Sequence, residues 1–175
     1  EPYHDAEYGM ALIDMDVLAG EIERADRAGL SVMVHAIGDR ANKELINLFE
    51  NLSKTAPPQG SITPIYPHRL EHLQTIQPVD IDRLARLPLA LGVTPANMLL
   101  DIDLINSVLG ERGRWAYSFR ALRDTGRPLM FSSDCPVCNP NPLLGIHAAV
   151  TRKRADGTPP GGWYPEACIE TIDAV

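Results

Sequence analysis

The spacing of apolar positions changes repeatedly along the chain, and each change marks an element. In DMDVLAGEIERADRAG (residues 14–29), Leu18, Ile22 and Ala25 recur at helical spacing, with Asp14 or Asp16 as a cap and Gly29 as a stop. LSVMVHA (30–36) is an apolar run of strand length, and ANKELINLFENL (41–52) returns to helical spacing through Leu45, Leu48, Phe49 and Leu52. The proline- and glycine-containing SKTAPPQGSITP (53–64) reads as a loop, and IYPHRLEHL (65–73) as a strand interrupted by Pro67. VDIDRLARL (79–87) predicts a short helix and LALGVTP (89–95) a strand. RWAYSFRALRDTG (114–126) predicts a helix with Trp115, Phe119 and Leu122 in the core. PLMFSSD (128–134) follows as a strand, PLLGIHAAVTR (142–152) as a helix, ADGTPPGGWYP (155–165) as a loop, and PEACIETIDAV (165–175) as a last helix.

Strands and helices thus alternate in roughly four βα units. The strands read as continuously apolar, which predicts an α/β fold with a parallel sheet covered by helices. The 175 residues, 45% hydrophobic and 22% charged, suffice for one sizeable core. A net charge of -7 and the lack of a Lys/Arg run speak against nucleic acid or anionic lipid as a partner. The most apolar tract, LPLALGVTPANMLLDIDLI, carries prolines, Asn97 and two aspartates and does not read as a membrane span. Three cysteines do not read as a disulfide framework, and suggest a reducing cytoplasm. The chain starts at Glu1, and reads as a piece of something longer.

In parallel α/β folds, ligands and catalysis gather at the carboxyl ends of the strands. Three predicted strands end in a candidate ligand: His35, His72 and Asp134. Counted with period two, Met33 and His35 share a face, as do Met130, Ser132 and Asp134. If those faces meet, two imidazoles and a carboxylate converge, a donor set suited to Zn²⁺ or a similar divalent cation.

The stretches VHAIGDRAN (34–42), HRLEHLQ (68–74), LGERGRWAYSFRALRDTG (109–126) and SSDCPV (132–137), in this order and at these separations, resemble the amidohydrolase superfamily. The branch resembled is that of the N-substituted formamide deformylases and exoenzyme-regulator-like metal-dependent hydrolases. The resemblance implies a (β/α)8 TIM barrel with outer helices, of which residues 1–175 are the C-terminal half, strands five to eight. It also implies His35 and His72 as metal ligands, and Asp134 as both ligand and general base for an attacking water. The implied cofactor is a divalent metal, Zn²⁺ foremost, one or two ions in the full-length enzyme. The implied substrate is a small amide or formamide.

The chain also departs from that family. No His-x-His occurs, the only histidine before His35 being His4, and the bridging lysine or acidic residue of the fourth strand is absent. TPAN (Thr94–Asn97) stands where the family has Gln-Pro-x-His, which makes Thr94 and Asn97 weak substrate-binding candidates beside Asp39 and Arg40. About 250 residues make a whole barrel, so four units predict half of one, and two alternatives stand beside that expectation. One is a non-catalytic half-barrel or binding module that retains part of a metal site. The other is thiol redox through Cys135 and Cys138, which lack a second cysteine pair and a thioredoxin-like context. Arg69 and Glu71 are expected to face the helices, His68 to share the face of His72, and His147 to be structural. Half a barrel exposes strand edges and an apolar inner face, so a homo-oligomer or pairing with the missing half is expected.

Overall fold

A computed structural model describes residues 9–54 and 65–175. His4 and most of the loop predicted at 53–64 lie outside the described residues. Among those described, four strands form one sheet in the order β1-β2-β3-β4, every neighbouring pair parallel: β1 Met33–Ala36, β2 Arg69–His72, β3 Ala90–Val93 and β4 Leu129–Phe131. Six α-helices accompany them: α1 Met15–Arg27, α2 Asp39–Lys54, α3 Pro78–Leu84, α4 Pro95–Leu109, α5 Phe119–Asp124 and α6 Pro142–Thr151. No helix of the described residues is long and apolar enough to cross a membrane.

Local chemistry sets several boundaries. Asp14 caps α1, its Oδ1 accepting from the backbone N–H groups of Asp16 (2.9 Å) and Val17 (3.2 Å). Pro78, Pro95 and Pro142 open α3, α4 and α6, where a missing N–H costs nothing. Asn141 caps α6 by accepting from the backbone N–H of Leu143.

The register sorts the sheet into two faces. Val34, Leu70, Leu91 and Leu129 are paired across the strands and point to the helices, where Leu70 and Leu91 are fully buried with Leu45, Ile46 and Phe49 of α2. Met33 and His35 of β1, Arg69 and Glu71 of β2, Ala90 and Gly92 of β3, and Met130 of β4 share the other face. No helix covers it at β1, where Met33 is 66% exposed.

Several expectations change. Only β3 is buried along its whole length; β1 and β2 alternate, because one of their faces is open. Helix α4 follows the strand directly and went unread, since its apolar residues surround it, with Met98, Ile102 and Ile105 buried but Leu100 and Leu104 exposed. The predicted helix 114–126 is a 3₁₀ turn, Gly110–Trp115, and then the short α5. Tyr117, at φ 52°, breaks it, and Trp115 is only half-buried while Phe119 and Leu122 are fully buried. The tail forms two 3₁₀ turns, Pro165–Ala167 and Thr171–Asp173, rather than one helix.

Arg69 and Glu71 do not face the helices. They sit on the open face, because β2 alternates and its helix-facing positions are taken by Leu70 and by the start of the next turn. Nor does His68 share the side of His72: its Nδ1 accepts from the Val32 N–H at 3.1 Å, its Nε2 lies 3.5 Å from Asp26, and its ring packs on Phe49 of α2.

Candidate metal centre

His35 projects from β1 on the open face, next to the turn that starts α2. That turn needs Gly38, at φ 101°, a conformation closed to residues with a Cβ. Asp39 follows. Its Oδ1 accepts from the Arg40 backbone N–H (2.9 Å), its Oδ2 from Gln77 Nε2 (3.2 Å), and Arg112 Nη1 lies 3.8 Å away. Asp39 therefore ties the β1–α2 turn to the start of α3 and to the 3₁₀ turn. Arg40 Nε donates to Glu44 Oε1 at 2.6 Å along α2.

Strand β2 ends on two successive residues with positive φ, His72 at 70° and Leu73 at 46°. A regular strand would point His72 to the helices, with Leu70. The left-handed backbone turns it instead to His35, and the two ring centroids stand 4.4 Å apart at 64°. His72 is 9% exposed, and its Nδ1 is buried with no hydrogen-bond partner among the described residues. Burial holds this imidazole below the ordinary histidine value; His35 adds to the effect, while the charges of Asp134 and Glu71 oppose it. A neutral imidazole with an unengaged nitrogen is the form in which histidine binds a metal.

Asp134 lies past the end of β4 in an exposed turn, at φ 54°, its carbonyl accepting from the Val137 N–H at 2.8 Å. Its charge is felt at His72 and at the Cys138 thiol. The structure thus brings His35 and His72 into contact and leaves Asp134 farther off. Among the described residues, no three His, Cys, Asp or Glu side chains are grouped to hold a metal ion. In kind, the donors fit a borderline divalent cation, and the unpartnered Nδ1 of His72 supports that fit; in number they are incomplete.

Thr94 and Asn97 are buried where β3 passes into α4, with Thr94 Oγ1 and Asn97 Oδ1 lacking partners among the described residues. Nearby elements hold a network that sequence reasoning missed. Asp101 Oδ2 on α4 accepts from Gln74 Nε2 at 2.7 Å and from the Tyr117 hydroxyl at 2.6 Å. Burial and that bond to Asp101 push the tyrosine far above its ordinary value. Nothing local in the sequence joins residues so far apart. The interior placement of Arg69 and Glu71 did carry a signal, two opposite charges at i and i+2 on a strand, the spacing of a same-face ion pair. Cys135 is exposed, Cys138 half-buried and both free; burial raises the Cys138 thiol, and Asp101 and Asp134 add to it. His147 lies exposed on α6, within 3.3 Å of Thr151 Oγ1.

The model of the amidohydrolase family matches residues 1–171. The chain belongs to the amidohydrolase family. Among curated relatives of this amidohydrolase chain, the protein LONG AFTER FAR-RED 3 of Arabidopsis thaliana is 33% identical over 173 residues, covering 96% of the chain and 28% of the relative. The putative amidohydrolase YtcJ of Bacillus subtilis (strain 168) is 32% identical over 178 residues, covering 100% and 32%. The chain therefore spans about a third of the length of the relatives it matches. An uncharacterized metal-dependent hydrolase from Pyrococcus horikoshii OT3 superposes with a TM-score of 0.84 and 28% identity, over 99% of this chain and 34% of that one. Another, from Pyrococcus furiosus, gives 0.75 and 30%, over 95% and 33%. The four parallel βα units are a partial TIM barrel of the amidohydrolase fold, and the metal-dependent neighbours support a divalent metal.

Proposed function

We propose that this chain supplies strands five to eight of a barrel enzyme that hydrolyses non-peptide C–N bonds of small amides or formamides, in the formamide deformylase branch. The observation that carries the reading is the left-handed His72, which abandons the strand's alternation to meet His35 with a buried, unpartnered nitrogen. Backbone strain of this kind costs of order 1–3 kcal/mol and concentrates at working sites.

In this reading His35 and His72 hold the metal, Zn²⁺ foremost. When bound, a divalent cation polarises a carbonyl and lowers the pKa of a water to about 7. Asp134, on its exposed turn, joins the ligands, takes the proton of the attacking water and passes it to the leaving amine. Thr94 and Asn97 contact substrate through their unengaged oxygens. Asp39 and Arg40 contribute less directly, since Asp39 braces three elements and Arg40 bonds Glu44. The chain alone is inactive in this reading, because the His-x-His pair that the family's first strand brings to the metal is not among its residues.

The test is turnover of N-formyl and N-acyl amines by the full-length protein. Wild type is expected to release the amine, and Asp134→Asn to lower the rate by about 10² to 10⁴; an unimpaired variant removes Asp134 from the role of base. The second reading, a non-catalytic half-barrel with a remnant metal site, rests on the lack of a third donor near the imidazoles among the described residues. Metal-loaded full-length protein without activity on such substrates favours it.

A further inference from the structure

Barrel interiors are ordinarily filled by branched apolar side chains, yet the open face of β2 carries Arg69 and Glu71. Their side chains are 32% and 17% exposed, and a charged pair at such a place is costly to hold out of water. Both Arg69 bonds go to one carboxylate oxygen, Nε to Oε1 at 2.6 Å and Nη2 to Oε1 at 2.5 Å. Oε2 is left for something else.

The register gives the pair a direction. Arg69 is level with Met33 and Ala90, whereas Glu71 is level with His35 and Gly92, one layer nearer the carboxyl ends of the strands. The acidic member of the pair thus stands one layer nearer the strand ends at which His35 and His72 lie. His35 and Glu71 occupy paired positions on neighbouring parallel strands, spaced about 4.8 Å apart. Room for the carboxylate comes from Gly92: a Cβ there would overlap Glu71, with Oε2 the nearest atom and Cδ at 2.6 Å.

We propose that Glu71 is a positioning residue of the metal centre, its carboxylate seated over Gly92 in the row of His35 to set negative charge beneath the imidazoles and favour a divalent cation there. The inference rests on the metal-centre reading above. Arg69 fixes the carboxylate by one oxygen and keeps the other unengaged; Gly92 keeps the seat open. Outer groups that hydrogen-bond a metal-binding histidine typically account for about 10- to 100-fold in metal affinity, and a carboxylate that acts through space, as Glu71 does, falls at the lower end of that range.

The test uses the full-length protein, with Zn²⁺ affinity from competition with a chromophoric chelator and the visible spectrum of the Co²⁺-substituted form. Glu71→Gln is expected to weaken Zn²⁺ binding about 10-fold and to shift the Co²⁺ bands. Gly92→Ala, which keeps the carboxylate but fills its seat, is expected to do the same. A folded Glu71→Gln protein with wild-type affinity and spectrum overturns the proposal, and if that variant fails to fold, Gly92→Ala is read by the same criteria. His72→Ala separates the two levels. If it leaves metal binding intact, the metal-centre reading itself fails; if it abolishes binding while Glu71→Gln does not change it, only the role of Glu71 fails.

Discussion

Arg152 closes α6 in a left-handed conformation and is fully buried, with no carboxylate bonded to it among the described residues. Its Nη1 donates to the Tyr117 carbonyl at 2.7 Å and its Nε to the Trp163 carbonyl, while its guanidinium lies 5.4 Å from the Phe119 ring centre and 5.2 Å from that of Trp163. Burial pulls its pKa down to about 10, so it remains charged at neutral pH. Replacing it with Met retains much of the volume but strands the buried Trp163 carbonyl, at about 1–3 kcal/mol, while the Tyr117 carbonyl keeps the Phe119 N–H at 2.9 Å and loses its second donor. Relief from burying a cation offsets part of that cost, leaving a net loss of about 1–3 kcal/mol. In the full-length protein, about three times as long by its relatives, the shift per kcal/mol is smaller than in a domain of this size, and the melting temperature falls by roughly 1–5 °C. Because Arg152 holds the left-handed Tyr117, whose hydroxyl bonds Asp101, the variant also loosens the Gln74–Asp101–Tyr117 network. Calorimetry of the full-length wild type and Arg152→Met measures the first effect. An unchanged or raised melting temperature refutes the reasoning, since it makes the two carbonyl bonds worth less than the burial they require.

Three further outcomes follow from other contacts. Arg83 clasps Glu50 (2.8 and 3.0 Å) and Asp80 (2.7 Å), and its bonds hold the Glu50 carboxyl below its ordinary value of 4.5. A carboxyl lowered by folding stabilises above its unfolded pKa and loses that contribution as pH falls through the folded one, so Arg83→Met should flatten the fall of melting temperature as pH drops below the ordinary carboxyl value of 4.5; an unaltered slope contradicts this. Leu70→Ala, at a fully buried site under the sheet, should cost about 2–5 kcal/mol in denaturant unfolding, and a loss below that range would mean the site collapses around the gap. The chain by itself, with Met33 66% and Ile37 44% exposed, should self-associate or capture its complementary half in sedimentation at low micromolar concentration; a stable, non-aggregating monomer contradicts that.

The alternation of strands and helices was legible because the period of apolar residues switches cleanly at Gly29, Gly38 and Gly126. Helix α4 was not, because Leu100 and Leu104 blur its amphipathic stripe and Pro95 reads as a break although it opens the helix. At the site, period two placed Met33 and His35 on one face correctly. It failed for His72, whose positive φ reverses the direction of the side chain, and for Asp134, which lies beyond the last paired residue of β4. Backbone reversals of that kind come from the packing around them, as at Tyr117, and leave no mark in local composition. The same reversal hid Glu71: once His72 was assigned inward, alternation wrongly sent its neighbour out.

The central claim is that His35 and His72 hold the metal of a metal-dependent amidohydrolase. Elemental analysis tests it most directly, on full-length wild type and the His35→Ala, His72→Ala double variant, both reconstituted with Zn²⁺, dialysed against a mild chelator and verified as folded by circular dichroism. The account predicts tightly held metal in the wild type and its loss in the double variant. Equal metal in both proteins, or none in either, would contradict it.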